Sequence, residues 1–229
     1  MFDAYWPTVW LSIQVAFLCL LLNLLPGIGV AWLLARKSFK GKVVFETLVH
    51  VPLVLPPVVT GYFLLILLGK NGWVGAWLDE WFGIRLAFDF SGAVLAAAVM
   101  SFPLLVRSLR LAIELVDPGL EIAAATLGAR PLRVFWTVTL PLSMPGLLTG
   151  VVLAFARGLG EFGATITFAG NISGETRTLP LAVFTYMQMP GRDHEVLVLA
   201  LIAVALSGGA LLASELFSRR LARRLRGRP

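Results

Sequence analysis

The chain has 229 residues, of which 58% are hydrophobic and 14% charged, with a mean hydropathy of +0.86. A soluble domain carries about a quarter charged residues, so this composition excludes one and points to an integral membrane protein, an all-α bundle forming a single domain over residues 1–229. The net charge of +6 sits at the ends of apolar segments, where cations set topology, and this argues against a nucleic-acid partner.

The N-terminal MFDAYWPTVW has no basic residue ahead of the first apolar run. That run is therefore expected to be a retained span rather than a cleaved signal. Apolar runs of bilayer-crossing length predict five spans, at about 9–35, 43–68, 92–113, 134–159 and 196–217. In the first, Ser12, Gln14 and Asn23 are expected to hydrogen-bond to adjacent helices. Cys19, the one cysteine, faces lipid or another helix and has no disulfide partner in the chain. Span two carries His50, four residues after Glu46, and the pair Pro56 and Pro57 near its middle. The histidine is either hydrogen-bonded to a neighbouring helix or a proton carrier, with Glu46 a possible partner. The loop 70–89 holds Trp73, Trp77, Trp81 and Phe82, aromatic residues that anchor at the membrane boundary or meet an external partner. Phe102 and Pro103 interrupt span three. Proline frees backbone carbonyls and bends a helix, which serves gating or packing. Residues 160–190 are half-apolar and broken by Gly and Pro, and read as a partial segment, a re-entrant one or a sixth span.

Arg36, Lys37, Lys40 and Lys42, then Arg107, Arg110, Arg130 and Arg133, then the tail from Arg219 to Arg228 fall on one side of a five-span bundle. They make up 14 of the 19 basic residues. That side is expected to be cytoplasmic, with the N-terminus outside and the C-terminus inside. A complete sixth crossing would put the tail outside. The Arg-rich tail reads as a topology signal and suits contact with anionic lipid.

Between spans three and four lies a short polar hairpin, Asp117–Pro141, DPGLEIAAATLGARPLRVFWTVTLP. Asp117 suits an N-cap and Pro118 the first helical position. Gly128 supplies a stop, or a place of close backbone approach. Pro131 restarts a helix that runs through Phe135 and Trp136 into span four, where Pro141 and Pro145 are expected to kink it. Ala123, Ala124 and Ala125 make a low-relief surface, which suits either a docking partner or an ordinary cytoplasmic loop that happens to be helical. There is no phosphate loop of the GxxxxGK[ST] type, so any ATP must be bound by another chain. HExxH and GxSxG are absent as well, and no enzymatic constellation is visible.

The hairpin resembles the EAA motif of ABC importer permeases. Ala123 and Ala124 match its alanines, Gly128 its glycine, and Val138, Leu140 and Pro141 its end. The acidic position is Ile122, with Glu121 one residue earlier, a rotation of about 100° on a helix. The stretches 48–65, 92–112 and 153–180 are similar to oxyanion importer permeases, to those for molybdate most, with the sulfate, thiosulfate and tungstate permeases related. The resemblance implies the type I importer permease fold, two copies lining a pathway and alternating access. It also implies two cytoplasmic ABC ATPase subunits holding ATP-Mg, a periplasmic or lipid-anchored binding protein, and a location in the bacterial inner membrane. No cofactor is expected on this chain. Docking to the ATPase falls to Glu121, Ala123, Ala124, Gly128, Ala129, Leu140 and Pro141.

For the pathway the candidates are Pro56, Pro57, Phe102, Pro103, Glu161, Phe162, Gly163, Thr165 and Thr167, with Thr176 a further hydroxyl. A carboxylate at membrane depth is costly and is normally paired or wet. Glu161 has Arg157 four residues earlier on the same helical face. It would repel a dianion, whereas threonine hydroxyls could pass one. No internal repeat and few intramembrane acids, only Glu46 and Glu161, speak against an ion-coupled carrier.

Overall fold

The computed structural model describes residues 5–225. Among them only helices and turns occur. The elements are α1 Trp6–Arg36, α2 Lys42–Val54, α3 Pro57–Leu68, α4 Trp73–Phe82, α5 Phe90–Glu114, α6 Pro118–Thr126 and α7 Pro131–Val134. A π-helical turn follows at Phe135–Thr139, then α8 Leu140–Leu142, α9 Met144–Leu159, α10 Gly163–Phe168, α11 Leu179–Met187 and α12 Asp193–Leu225. The protein is a polytopic membrane helix bundle. Three of its helices are long and apolar enough to cross a bilayer unaided: α1, α5 and the Asp193–Ala213 part of α12. Arg226 and Arg228 of the basic tail lie outside the described residues.

The centre is a seam of small residues. In lipid there is no hydrophobic gain from helix association, so packing relies on close approach and polar contacts between helices. Ala93, Ala96, Ala97 and Ala98 of α5 are buried, as are Ala16, Cys19 and Ala31 of α1 and Ala154 of α9. Asn23 Nδ2 donates to Ala98 O at 2.8 Å and lies 3.0 Å from Ser101 Oγ. A Cβ built at Gly158 would stand 2.7 Å from Cys19 Sγ. Cys19 therefore faces a helix, not lipid. Ser12 also behaves as expected, accepting from Leu179 N at 2.7 Å. Gln14 does not: it is exposed, and no side-chain hydrogen bond forms there.

Contacts fix the directions. Leu11, Val15 and Cys19 cluster with Ala93, Ala97 and Ala98, whereas Ala31 and Leu34 cluster with Leu109 and Ile113. Helices α1 and α5 thus run the same way. Both finish at the hairpin end, where Arg36 Nη2 donates to Val116 O at 2.9 Å. The chain between them must return to the opposite end, and α2 with α3 make that return. Glu46 of α2 pairs with Arg110 near the end of α5, while Leu64, Leu65 and Leu68 of α3 pack on Ala96, Met100 and Phe168. Span two is therefore one broken crossing. Its break is sharper than the proline kink expected: α2 and α3 differ by 116°, with Leu55 and Pro56 extended and Pro57 opening α3.

Pro103 breaks nothing. Helix α5 runs continuously past it, as α1 does past Pro26. Span four bends by 72° between α8 and α9, where Pro141 and Pro145 flank Ser143. Pro141 cannot donate and its ring crowds the preceding turn. The helix widens just before it, with Leu140 N bonding to Phe135 O.

Residues 160–190 do not cross. Phe168 packs beside Ala96, Leu179 hangs on Ser12, and Ala182 joins Val9 and Leu199. Both α10 and α11 thus stay in the half of the bundle away from the hairpin. With α12 starting there too, and each bent pair taken as one span, the described residues make five crossings. Helix α4 carries Trp73, Trp77, Trp81 and Phe82 exposed, outside the small-residue seam.

Gly61 marks the tightest approach of α3 to α10: a Cβ there would lie 2.7 Å from Ala164 O and 2.9 Å from Ala164 Cα. Backbone cannot yield as a side chain can. Gly61→Ala is expected to destabilise the folded chain by about 1–3 kcal/mol, read as a lowered melting midpoint in detergent, whereas Gly29→Ala, where a Cβ meets nothing within 4 Å, does not lower it.

Candidate functional site

Two regions collect the candidate residues, one at each end of α9. The first is the hairpin. The Asp117 side chain caps α6 by accepting from Gly119 N at 2.8 Å, and Pro118 takes the first turn. The helix closes at Gly128, whose φ is +86°. A Cβ there would touch nothing within 4 Å, so within the chain the glycine is required for the left-handed turn, not for close packing. Pro131 opens α7. The cap, the glycine turn and the proline restart expected from sequence are all present.

Helix α6 has no buried residue. Ala123 and Ala125 are exposed, Ala124 and Ala129 half-buried. Large apolar side chains surround them. Leu127 is 88% exposed and Leu115 87%, with Leu120, Ile122, Leu132 and Trp136 also open. These were not singled out from the sequence, where the alanines alone suggested the surface. The available signal was apolar residues in a segment too short to cover them. Pro141 is exposed, but Leu140 is buried in the core with Leu109 and Leu147. Leu140 anchors the hairpin and does not face outward.

Glu121 also turns inward. Arg36 Nε lies 3.1 Å from both of its carboxylate oxygens, and the Thr139 hydroxyl donates to Oε1 at 2.7 Å. Its neighbour Ile122 is the residue that points out. The one-residue shift of the acid thus has a structural meaning: the carboxylate serves the inside of the hairpin.

The second region lies where α9 ends. Glu161 is 1% exposed. Its Oε1 accepts from Ala164 N at 2.8 Å at the start of α10, and Oε2 forms an ion pair with Arg157. The i,i+4 pairing expected from sequence is present. Phe162 packs on Phe184 with ring centroids 5.1 Å apart. Gly163 meets the backbone of the α2–α3 break, its would-be Cβ 2.7 Å from Pro57 Cβ and 3.1 Å from Val58 N. The structure thus brings Pro57 and Gly163 together. Thr165 and Thr60, on the two packed helices, are buried with hydroxyls that have no hydrogen-bond partner. Thr167 spends its hydroxyl on Gly163 O at 2.9 Å, and Thr176 accepts from Ile172 N to close a loop. Pro56 is exposed. Phe102 stands apart: it lines a groove of about 500 Å³ with Asn23, Pro26 and Pro52, and Pro103 is buried in α5.

A further groove of about 830 Å³ runs between α2 and α5 at the hairpin end, lined by Glu46, His50, Arg107, Arg110 and Glu114 among others. Arg110 is held by Glu46 and Glu114. His50 Nδ1 bonds to Glu46 O at 2.8 Å, so the partner of this histidine is its own helix backbone. No group of three or more residues suited to a metal ion occurs among the described residues.

Comparison with known proteins bears on these surfaces. The family described as "Binding-protein-dependent transport system inner membrane component" matches residues 27–227. The chain is 55% identical over 217 residues to the molybdenum transport system permease protein ModB of Escherichia coli K12, covering 95% of each chain. It is 39% identical over 197 residues to the sulfate transport system permease protein CysW of Synechocystis, covering 85% of this chain and 71% of that one. A solved bacterial alginate ABC transporter, in complex with a pentasaccharide-bound periplasmic protein, has a chain of the same fold. That chain superposes with a TM-score of 0.74 at 17% identity, covering 98% of this chain and 80% of the other.

The capping of α6 by Asp117 sets a measurable quantity. Asp117→Ala is expected to cost about 1 kcal/mol of helix stability. Amide exchange over 118–126 then accelerates about fivefold, while exchange in α5 and α9 is unchanged.

Proposed function

The chain belongs to the family of binding-protein-dependent transport system inner membrane components, and from that premise we propose that it is the membrane permease of an ATP-driven importer of molybdate. Identity of 55% to a molybdenum permease against 39% to a sulfate permease favours molybdate over sulfate. The chain is a transport subunit and not an enzyme. One observation carries the mechanism: α6 buries nothing within the chain, is capped and turned so as to be rigid, and is ringed by exposed leucines. A surface of that kind suits docking into the cleft of an ABC ATPase, which binds ATP-Mg.

The chain sits in the bacterial inner membrane, N-terminus outside, hairpin and basic tail in the cytoplasm. Two copies pair to line the pathway, with one ATPase subunit under each hairpin. A periplasmic or lipid-anchored oxyanion-binding protein delivers substrate at the opposite end. Closure of the ATPase pair on ATP moves the hairpins as rigid bodies and alternates access across the bundle. The paired breaks at Pro57 and Gly163 offer the movable joint, and the free hydroxyls of Thr60 and Thr165 offer uncharged donors to a passing oxyanion. Both intramembrane carboxylates are engaged by arginines, Glu46 by Arg110 and Glu161 by Arg157. That leaves neither as an open proton carrier and supports ATP over ion coupling.

The substrate is tested by uptake of labelled molybdate into vesicles holding the chain, its ATPase and its binding protein. Excess sulfate should leave uptake nearly intact; equal competition by sulfate would overturn the choice of anion. Docking is tested at Gly128. A β-branched side chain at φ +86° carries strain of about 1–3 kcal/mol. Gly128→Val is expected to reduce both ATPase co-purification and uptake, with the amount of chain in the membrane unchanged.

A further inference from the structure

Arg36, Glu121 and Thr139 are distant in sequence and meet beneath the hairpin. Arg36 is the last residue of α1, and Thr139 is the last of the π turn that leads into α8 and α9. Glu121 lies in the first turn of α6. Its carboxylate takes the Arg36 Nε at 3.1 Å and the Thr139 hydroxyl at 2.7 Å. Arg36 also donates through Nη2 to Val116 O, in the link from α5 to α6. The side chains of Arg36 and Glu121 keep 16% and 20% of their surface, and Thr139 is buried. Hydrogen bonds to ionised groups are the stronger class, and partial burial shields these from screening.

Among the described residues no other side chain of α6 makes a hydrogen bond outside the helix and its cap. Asp117 bonds to Gly119 N, and Thr126 to Ala123 O. Helix α6 buries no residue, so packing holds it weakly. The carboxylate is the tether.

We propose that Glu121 is a positioning residue for transport: it locks the docking helix to the ends of α1 and of the span begun by α7, so that a push on α6 moves both. The proposal rests on the reading of α6 as an ATPase-docking helix. A carboxylate one position later, at Ile122, would face the partner. At Glu121 it faces Arg36, and the outward position is left apolar. The cost of breaking such a tether falls on coupling, not on docking.

The test uses the whole transporter, reconstituted with its ATPase and binding protein. Glu121→Gln, Arg36→Gln and their double variant are compared for ATPase co-purification, for ATP hydrolysis stimulated by loaded binding protein, and for molybdate imported per ATP hydrolysed. Each single variant should keep its ATPase while import per ATP falls about fivefold or more. The double variant should be no worse than either single one. Loss of ATPase from Glu121→Gln alone would make Glu121 a partner contact and overturn the proposal. A proportional fall of hydrolysis and import, with the ratio unchanged, would reduce it to a structural role and overturn it too. Failure of the unsubstituted chain to hold the ATPase is a different result, and it strikes the docking reading first.

Discussion

The architecture depends on how closely three helices approach. Helices α1, α5 and α9 meet along alanine, glycine, serine and cysteine, with Asn23 donating into the backbone of α5. A bilayer gives apolar surface no reason to leave lipid for protein. Cohesion must then come from dispersion at short range and from polar groups that find partners between helices. This seam orients α1 and α5 in parallel and so obliges the intervening chain to cross back. The broken pair α2 and α3 sits against the seam rather than within it. Irregular backbone at membrane depth is tolerable where protein covers it.

The hairpin obeys a different logic. Its two helices are short, the first capped by Asp117 and the second opened by Pro131, turned by one left-handed glycine and anchored by Leu140. Charge is folded inward at Glu121 and apolar side chains are turned out at Leu127 and Ile122. That reverses the ordinary arrangement of a surface helix. An exposed apolar patch flanked by polar residues is the signature of a surface made to meet another protein. The polar contacts beneath tie the patch to the end of α1 and to the π turn.

Legibility differed between these regions for physical reasons. Caps, turn glycines and helix-opening prolines act within a few residues, and the hairpin was readable because it is built from them. The pairing of Arg157 with Glu161 was readable on the same ground, since i,i+4 neighbours share a helical face. Pro103 misled, because a proline in a helix held on several sides by packed neighbours can stay within a continuous helix, as it does in α5. Pro56 and Pro57 were underestimated for the opposite reason. Two successive prolines remove two donors and push the preceding residue to extended backbone, so the segment breaks outright. Gln14 was expected to find a partner on composition alone, and the direction of its side chain left it exposed.

By itself the sequence determined the membrane class, the position of the hairpin between the third and fourth apolar spans, and its capped, glycine-turned form. Each of these follows from local composition, from run length or from charge at segment ends. The choice between five and six crossings needed the contacts of residues 160–190. Only the tertiary structure decided that Glu121 faces Arg36 and Thr139, that Leu140 is core, and that the breaks at Pro57 and Gly163 lie against each other. Those are contacts between residues 18 to more than 100 positions apart. They depend on helix rotation and on the spacing that the small-residue seam allows, and neither is written in any single stretch of chain.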